Sequence, residues 1–188
     1  MAGNDRREDE RRFAAFYRRT FTPLVGYAAR RCQSTEDAAD LVAETYLVAW
    51  RRFEAVPEGP AGLWWLYATA RRLQANRRRG EARRRAAVTR LAVEIGVRAA
   101  ADAGPGAERL SDREAFLRLS RHDREILCLV GWEGLDADGL AAVLGCSANA
   151  ARLALHRARA RLEKELSREP PAARLPVRPT VLPLPSLP

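Results

Sequence analysis

Residues 136–166 read DADGLAAVLGCSANAARLALHRARARLEKEL, and this stretch decides the fold. Two helical segments, 136–144 and 147–166, are separated only by Gly145 and Cys146. Leu140 and Leu144 supply apolar contacts, and Ala141 is small enough to lie under a crossing helix. Gly145 is a turn glycine, and Ser147 is an N-cap. Together they make the pattern of a helix-turn-helix. The second helix carries Asn149, Arg152, His156, Arg157, Arg159 and Arg161 as its polar groups, a density of guanidinium that suits phosphates and base edges. Taken alone, the motif also fits an ordinary three-helix bundle with a solvated basic face.

Toward the N-terminus, Ser111-Asp112-Arg113-Glu114 and Ser120-Arg121-His122-Asp123 read as capping boxes that open two more helices. The second has Ile126, Leu127, Leu129 and Val130 as apolar positions, and Gly131 to Gly134 ends it. Residues 86–110 are Ala-rich around Gly104-Pro105-Gly106 and read as an interdomain linker with some helix at its start. Beyond Ser167 come seven prolines interleaved with Leu and Val, and no acid after Glu169. Such a tail suits disorder or a polyproline segment docked on a partner, disorder being the first expectation.

The N-terminal part is helical in period from Glu10 to about Arg85. Phe13, Phe16, Tyr17, Leu24, Tyr27 and Ala28 recur at steps of about three and four, and Pro23 is expected to bend or restart this helix. Ser34-Thr35-Glu36-Asp37 caps the next, whose apolar face is Leu41, Val42, Thr45, Val48, Ala49 and Phe53. Pro57-Glu58-Gly59-Pro60 stops it. A third helix begins near Ala61, carries Leu63, Trp64, Leu66, Tyr67, Ala70 and Leu73, and runs into an arginine block. Adjacent Trp64 and Trp65 cannot both face inward, so one is expected in the core and the other at a surface.

Charge is segregated along the chain. Lys and Arg total 33 against 24 Asp and Glu, and Lys164 is the only lysine. Arg71 to Arg90 holds nine arginines and a single acid, Glu81, whereas Gln33 to Trp50 holds Glu36, Asp37, Asp40 and Glu44 with no base. A basic block beside aromatics suits the backbone and bases of a nucleic acid, and an acidic helix next to it suits a protein partner. Cys32, Cys128 and Cys146 are widely spaced, with neither a disulfide framework nor metal-ligand spacing, so no metal, no cofactor and a reducing cytoplasm are expected. No apolar run approaches the roughly 20 residues of a membrane span, and the charged start lacks an export signal's apolar core. With two histidines, no phosphate loop and no nucleophile motif, an enzyme is not expected.

The stretch Asp37-Ala38-Ala39-Asp40-Leu41-Val42-Ala43-Glu44-Thr45-Tyr46-Leu47-Val48-Ala49-Trp50 resembles the second region of extracytoplasmic-function sigma factors of the sigma-70 family. Phe13 to Arg85 resembles sigma region two, and Leu117 to Leu166 resembles sigma region four, in the family's order. The resemblance implies an all-α protein of two small helical domains, a region two bundle and a region four helix-turn-helix, joined by a flexible linker. The expected layout is a disordered 1–10, region two at 11–85, linker at 86–110, region four at 111–167 and the tail at 168–188.

It further implies that the chain directs core RNA polymerase to promoters. Asp40, Leu41, Glu44, Thr45, Tyr46 and Trp50 would bind the largest subunit's clamp helices, and region four the flap. Trp64, Trp65, Arg71, Arg72, Asn76, Arg77 and Arg79 would hold the minus-ten element, a base being captured near 54–61. Ser147, Asn149, Arg152, Leu153, His156, Arg157 and Arg159 would read the minus-thirty-five duplex. An anti-sigma factor is a further implied partner. The chain departs from the family pattern at Gly139-Leu140, Ala150-Ala151, Leu153-Ala154, Ala70-Arg71-Arg72 and Asn76, so its promoter does not follow from family habit. A conventional helix-turn-helix regulator acting without polymerase is the alternative, and it leaves the acidic helix and arginine block unexplained.

Overall fold

The computed structural model describes residues 2–95 and 110–168, with side chains over 7–83 and 112–168. Local signals and one buried cluster shared by two helical bundles account for the seven α-helices among the described residues. They are α1 (Ala2–Ala29), α2 (Thr35–Arg51), α3 (Pro60–Ile95), α4 (Leu110–Arg118), α5 (Arg121–Gly131), α6 (Ala137–Leu144) and α7 (Ala148–Leu166). A 3-10 turn, Phe53–Ala55, leads from α2 toward α3.

Helices α1, α2 and α3 pack against each other around Leu24, Tyr27, Leu41, Leu66 and Tyr67, all buried. Two buried threonines satisfy their hydroxyls inside their own helices, Thr20 on the Phe16 carbonyl at 2.8 Å and Thr45 on the Leu41 carbonyl at 2.6 Å. Thr20 also meets the Tyr46 hydroxyl at 2.9 Å, tying α1 to α2. Helix α2 starts where Ser34 Oγ accepts from the Asp37 amide at 3.0 Å. Proline at the first residue of α3 has no amide to waste there. Gly62 then lets α3 approach α1: a Cβ at this position would lie 2.7 Å from the Pro57 carbonyl and 2.9 Å from the Phe16 ring.

Helices α4 to α7 pack around Ile126, Leu129, Leu140, Val143, Ala151 and Ala158, which join the residues of the first bundle in one buried cluster where α6 lies on α3. Ser120 caps α5, Asp136 caps α6 and Ser147 caps α7, each accepting from the amide three residues on. Gly145 ends α6 with φ +71°, a conformation that costs glycine little. Arg118 fastens α4 to α7 through the Glu165 carboxylate at 2.8 Å, a contact that holds this carboxyl below its usual range.

Three local expectations change. Helix α1 begins at Ala2 rather than Glu10, so described residues of the charged start are helical. It also continues through Pro23 instead of restarting there. Proline removes one backbone donor, but Leu24, Tyr27 and Ala28 on its far side are wholly buried and hold the helix in place. Ser111 lies inside α4 instead of capping it. The helix expected at the start of the linker is present, as α3 reaches Ile95, while the rest of the expected linker at 96–109 and the Pro-rich tail at 169–188 lie outside the described residues.

Two stability results follow from this packing. Gly62→Ala should cost about 1–3 kcal/mol by overpacking, whereas Gly80→Ala, with open space around it, should gain up to about 1 kcal/mol from helix propensity; urea denaturation compares them. Burial first, then the nearby Glu133, pushes the Tyr67 hydroxyl up to about 12, and burial pushes Tyr27 higher still. Unfolded tyrosines ionise near 10, so the unfolded chain releases protons that the fold keeps, and stability should fall as pH rises from about 10 to about 12. Repeating the denaturation across that window with Tyr67→Phe should show a shallower decline.

Candidate nucleic-acid and protein interface

Helix α7 turns Ala151 and Ala158 into the core, and the opposite side carries Asn149, Arg152, Leu153, His156 and Arg157, all exposed. Arg159 is exposed at the margin of that face. Ser147 spends its hydroxyl on the Ala150 amide at 3.2 Å, so its contribution is to start the helix. Arg161 has another task. Its Nη1 donates to both oxygens of the buried Asp123 carboxylate, at 2.7 and 2.9 Å, and Ser120 donates a third bond at 2.6 Å. This guanidinium therefore holds α7 to α5 rather than joining the exposed basic face.

Helix α3 presents a mixed set. Arg72, Asn76 and Arg79 are exposed, and Arg79 bonds the Asn76 amide oxygen. Arg71 is half-buried. Arg77 binds Glu44 of α2 through two nitrogens, at 2.7 and 3.2 Å, so one residue of the arginine block neutralises one of the acidic helix. Trp64 and Trp65 are both half-buried, contrary to the expected division into one core and one surface ring. The helix has more than its own bundle to pack against: α6 of the other bundle lies on it, with Trp64 over Gly139.

On α2, Asp40 and Trp50 are exposed and Glu44 is half-buried, whereas Leu41, Thr45 and Tyr46 are buried. Those three shape the helix from beneath and cannot touch a partner without unpacking. The outward apolar groups are Leu47 and Trp50, continued on α1 by Tyr17, Phe21 and Val25. Rings link the two helices, Tyr17 to Tyr46 at 4.6 Å and Phe13 to Trp50 at 4.9 Å. Sequence reading missed Leu47 and the α1 members. Their spacing of about one turn, Tyr17, Phe21 and Val25, was the available signal.

A cleft of about 510 Å³ lies where the bundles meet, lined by Arg30, Arg31, Arg77 and Arg78 from one and by Arg121 and Arg124 from the other. Cys32 and Cys128 also line it, and burial pushes both thiols up, away from the reactive thiolate. No helix among the described residues is long and apolar enough to cross a membrane.

A bundle with an exposed acidic and apolar face, followed by a helix-turn-helix with an exposed arginine face, defines a helical protein of the DNA-binding class. Residues 16–84 match the family model for sigma-70 region 2, and residues 113–162 match the model for sigma-70, region 4. The chain belongs to the sigma-70 family, as a sigma factor of the extracytoplasmic-function type. It is similar to the sigma factor RpoE from Bartonella quintana, solved in complex with the anti-sigma factor NepR. That likeness has 25% identity, covers 82% of this chain and 96% of that one, and has a TM-score of 0.58. It is likewise similar to CnrH, solved in complex with the cytosolic domain of CnrY, with 26% identity, 84% and 88% coverage and a TM-score of 0.54. No curated protein matches the chain. Sigma factors are not enzymes; they supply recognition.

The division of labour among the arginines of α7 can be measured. Arg161→Ala should destabilise the second bundle by about 1–3 kcal/mol, because it strips bonds from a buried carboxylate, while leaving the order of preference among DNA sequences unchanged. Denaturation and a binding-site selection on the same variant read the two effects; a changed base preference would return Arg161 to the reading face.

Proposed function

We propose that this sigma factor holds core RNA polymerase through the outward face of α1 and α2, and reads promoter DNA with α3 and α7. The observation that carries the reading is the face of α7. Arg152, His156 and Arg157 stand clear of solvent-excluded Ala151 and Ala158, with no fold contact to occupy them among the described residues. Arg152 and Arg157 suit the guanine edges of a minus-thirty-five duplex, and Asn149 and Arg159 suit its phosphates.

On the polymerase side, Asp40, Leu47 and Trp50 with Tyr17 and Phe21 combine an aromatic anchor, apolar area and a carboxylate, the composition of an interface core. The largest subunit's clamp helices are the partner of this face, and the flap is the partner of region four. Glu44 contributes only by leaving Arg77. Trp64, Trp65, Arg71, Arg72, Asn76, Arg77 and Arg79 serve the minus-ten strand, where an aromatic face and phosphate neutralisation offset the few kcal/mol of unstacking. Region two at 11–85, a linker at 86–110 and region four at 111–167 is the working division. The two solved relatives were captured with an anti-sigma factor or a cytosolic partner domain, which supports a sequestering partner here. The cytoplasm, where polymerase resides, is the site of action.

Purified chain added to bacterial core polymerase should co-elute with it and start transcription selectively from a promoter library. Asp40→Lys combined with Trp50→Ala should remove co-elution without changing circular dichroism. Arg157→Ala should cost about 1–3 kcal/mol on the preferred duplex and relax preference at one position. DNA binding with no polymerase binding would make the chain a conventional regulator.

A further inference from the structure

The cleft of about 510 Å³ between the bundles holds more cationic donors than the fold has acceptors for. Six arginines line it against three acids, Asp37, Glu81 and Glu125. Arg30 and Arg31 are committed to Glu133, Arg31 also to Glu125 at 3.4 Å, and Arg77 to Glu44 at 2.7 Å. Asp37 and Glu81 are exposed and keep their hydration. Three cations are left over. Arg78 of α3 meets only the Arg31 carbonyl, at 3.3 Å, and the guanidinium groups of Arg121 and Arg124 on α5 have no hydrogen bond or ion pair among the described residues. Arg124 is half-buried, so its charge has lost part of its water without gaining an acceptor. Arg31 adds another spare donor, Nη2, buried with no acceptor among the described residues.

An aromatic ring stands beside these charges. Trp132 lines the same cleft and is 59% exposed, more than any other large hydrophobic side chain among the described residues. Its neighbours leave it uncovered: the Arg30 guanidinium lies 6.0 Å from the ring centre, and Phe116 approaches at 6.5 Å with the planes inclined by 52°. An indole open to water next to unpaired guanidinium groups is the composition of a site for a planar base joined to an anion.

We propose that this cleft binds a nucleoside polyphosphate, its phosphate chain between Arg78 and the pair Arg121 and Arg124, its base on Trp132. Guanidinium forks match phosphate oxygens two at a time. Arg121 and Arg124, three positions apart, share one side of α5 and face Arg78 across the cavity, so they suit an anion with several charges close together. A single carboxylate would satisfy one fork and leave the others as they are. The volume lies within the roughly 300–1,000 Å³ of small-molecule sites. None of Arg78, Arg121, Arg124 and Trp132 belongs to the promoter or polymerase faces assigned above, so the site does not rest on those assignments.

The test is calorimetric titration of the full chain with adenosine triphosphate, inorganic triphosphate and adenosine, at an ionic strength of about 0.15 M and without divalent cations. Adenosine triphosphate should bind one per chain and more tightly than either of its parts, and should raise the unfolding temperature in proportion to its occupancy. Arg121→Gln and Arg124→Gln should each weaken it about tenfold. Trp132→Ala should weaken it about tenfold as well and leave inorganic triphosphate unchanged. Arg18→Gln removes an exposed charge that does not line the cleft and should change neither titration. Circular dichroism confirms that each variant is folded, and exposed Arg121 keeps the test decisive if loss of Arg124 disturbs α5. Absence of saturable binding, full binding by both α5 variants, or an equal loss in Arg18→Gln, which would mark general attraction to a basic chain, would each overturn the site. Inorganic triphosphate bound as tightly as the nucleotide, with Trp132→Ala indifferent, would overturn the nucleoside and make free polyphosphate the ligand.

Discussion

Arg31 is the point at which three parts of this protein are fastened. Its carbonyl accepts from Gln74 at 2.7 Å and from Arg78 at 3.3 Å, which holds α3 against the end of α1. Its guanidinium lies on Tyr27, turns back to the Tyr27 carbonyl at 3.3 Å, and crosses to Glu125 and Glu133 of the other bundle. A cation belongs at a helix C-terminus, where unpaired carbonyls concentrate negative potential. Lysine could supply that charge but not the planar fork that stacks on a ring while donating in several directions.

Around that point the helices come close because small residues lie at their crossings. Ala28, Ala49, Ala70, Ala151 and Ala158 are all wholly buried. Two bundles of this size have little apolar area with which to build cores. Using alanine inside leaves the large side chains for the margins, and that is where Trp50, Tyr17, Phe21 and Leu47 stand exposed. The economy of the core thus leaves apolar surface exposed on α1 and α2.

The helix-turn-helix was legible in the sequence because its determinants are local: Ser147 caps, Gly145 makes the turn, and Leu140 and Ala141 lie in the core. Periodicity also put Leu41 and Thr45 on the inner face of α2, where they lie. The family resemblance grouped them with exposed Asp40 and Trp50, since a conserved-looking motif mixes residues that shape a surface with those that form it. Legibility failed where the deciding partner is distant. Pro23 stays helical because of packing beyond it, Ser111 is overtaken by a helix beginning one residue earlier, and Trp64 answers to a glycine on another domain. Arg161 belonged by composition to the basic face, and only the buried Asp123 explains its true position.

The bond between Arg77 and Glu44 joins the arginine block to the acidic helix, and it has a thermodynamic consequence. One guanidinium cannot serve a carboxylate and a phosphate equally at the same moment. Whatever draws Glu44 away raises the affinity of Arg77 for an anion, and an anion on Arg77 releases Glu44 by the same factor, as linkage requires. Both groups are partly exposed, so the exchange is small and nearly reversible at ambient energies. It makes the two faces of region two communicating vessels rather than independent ones.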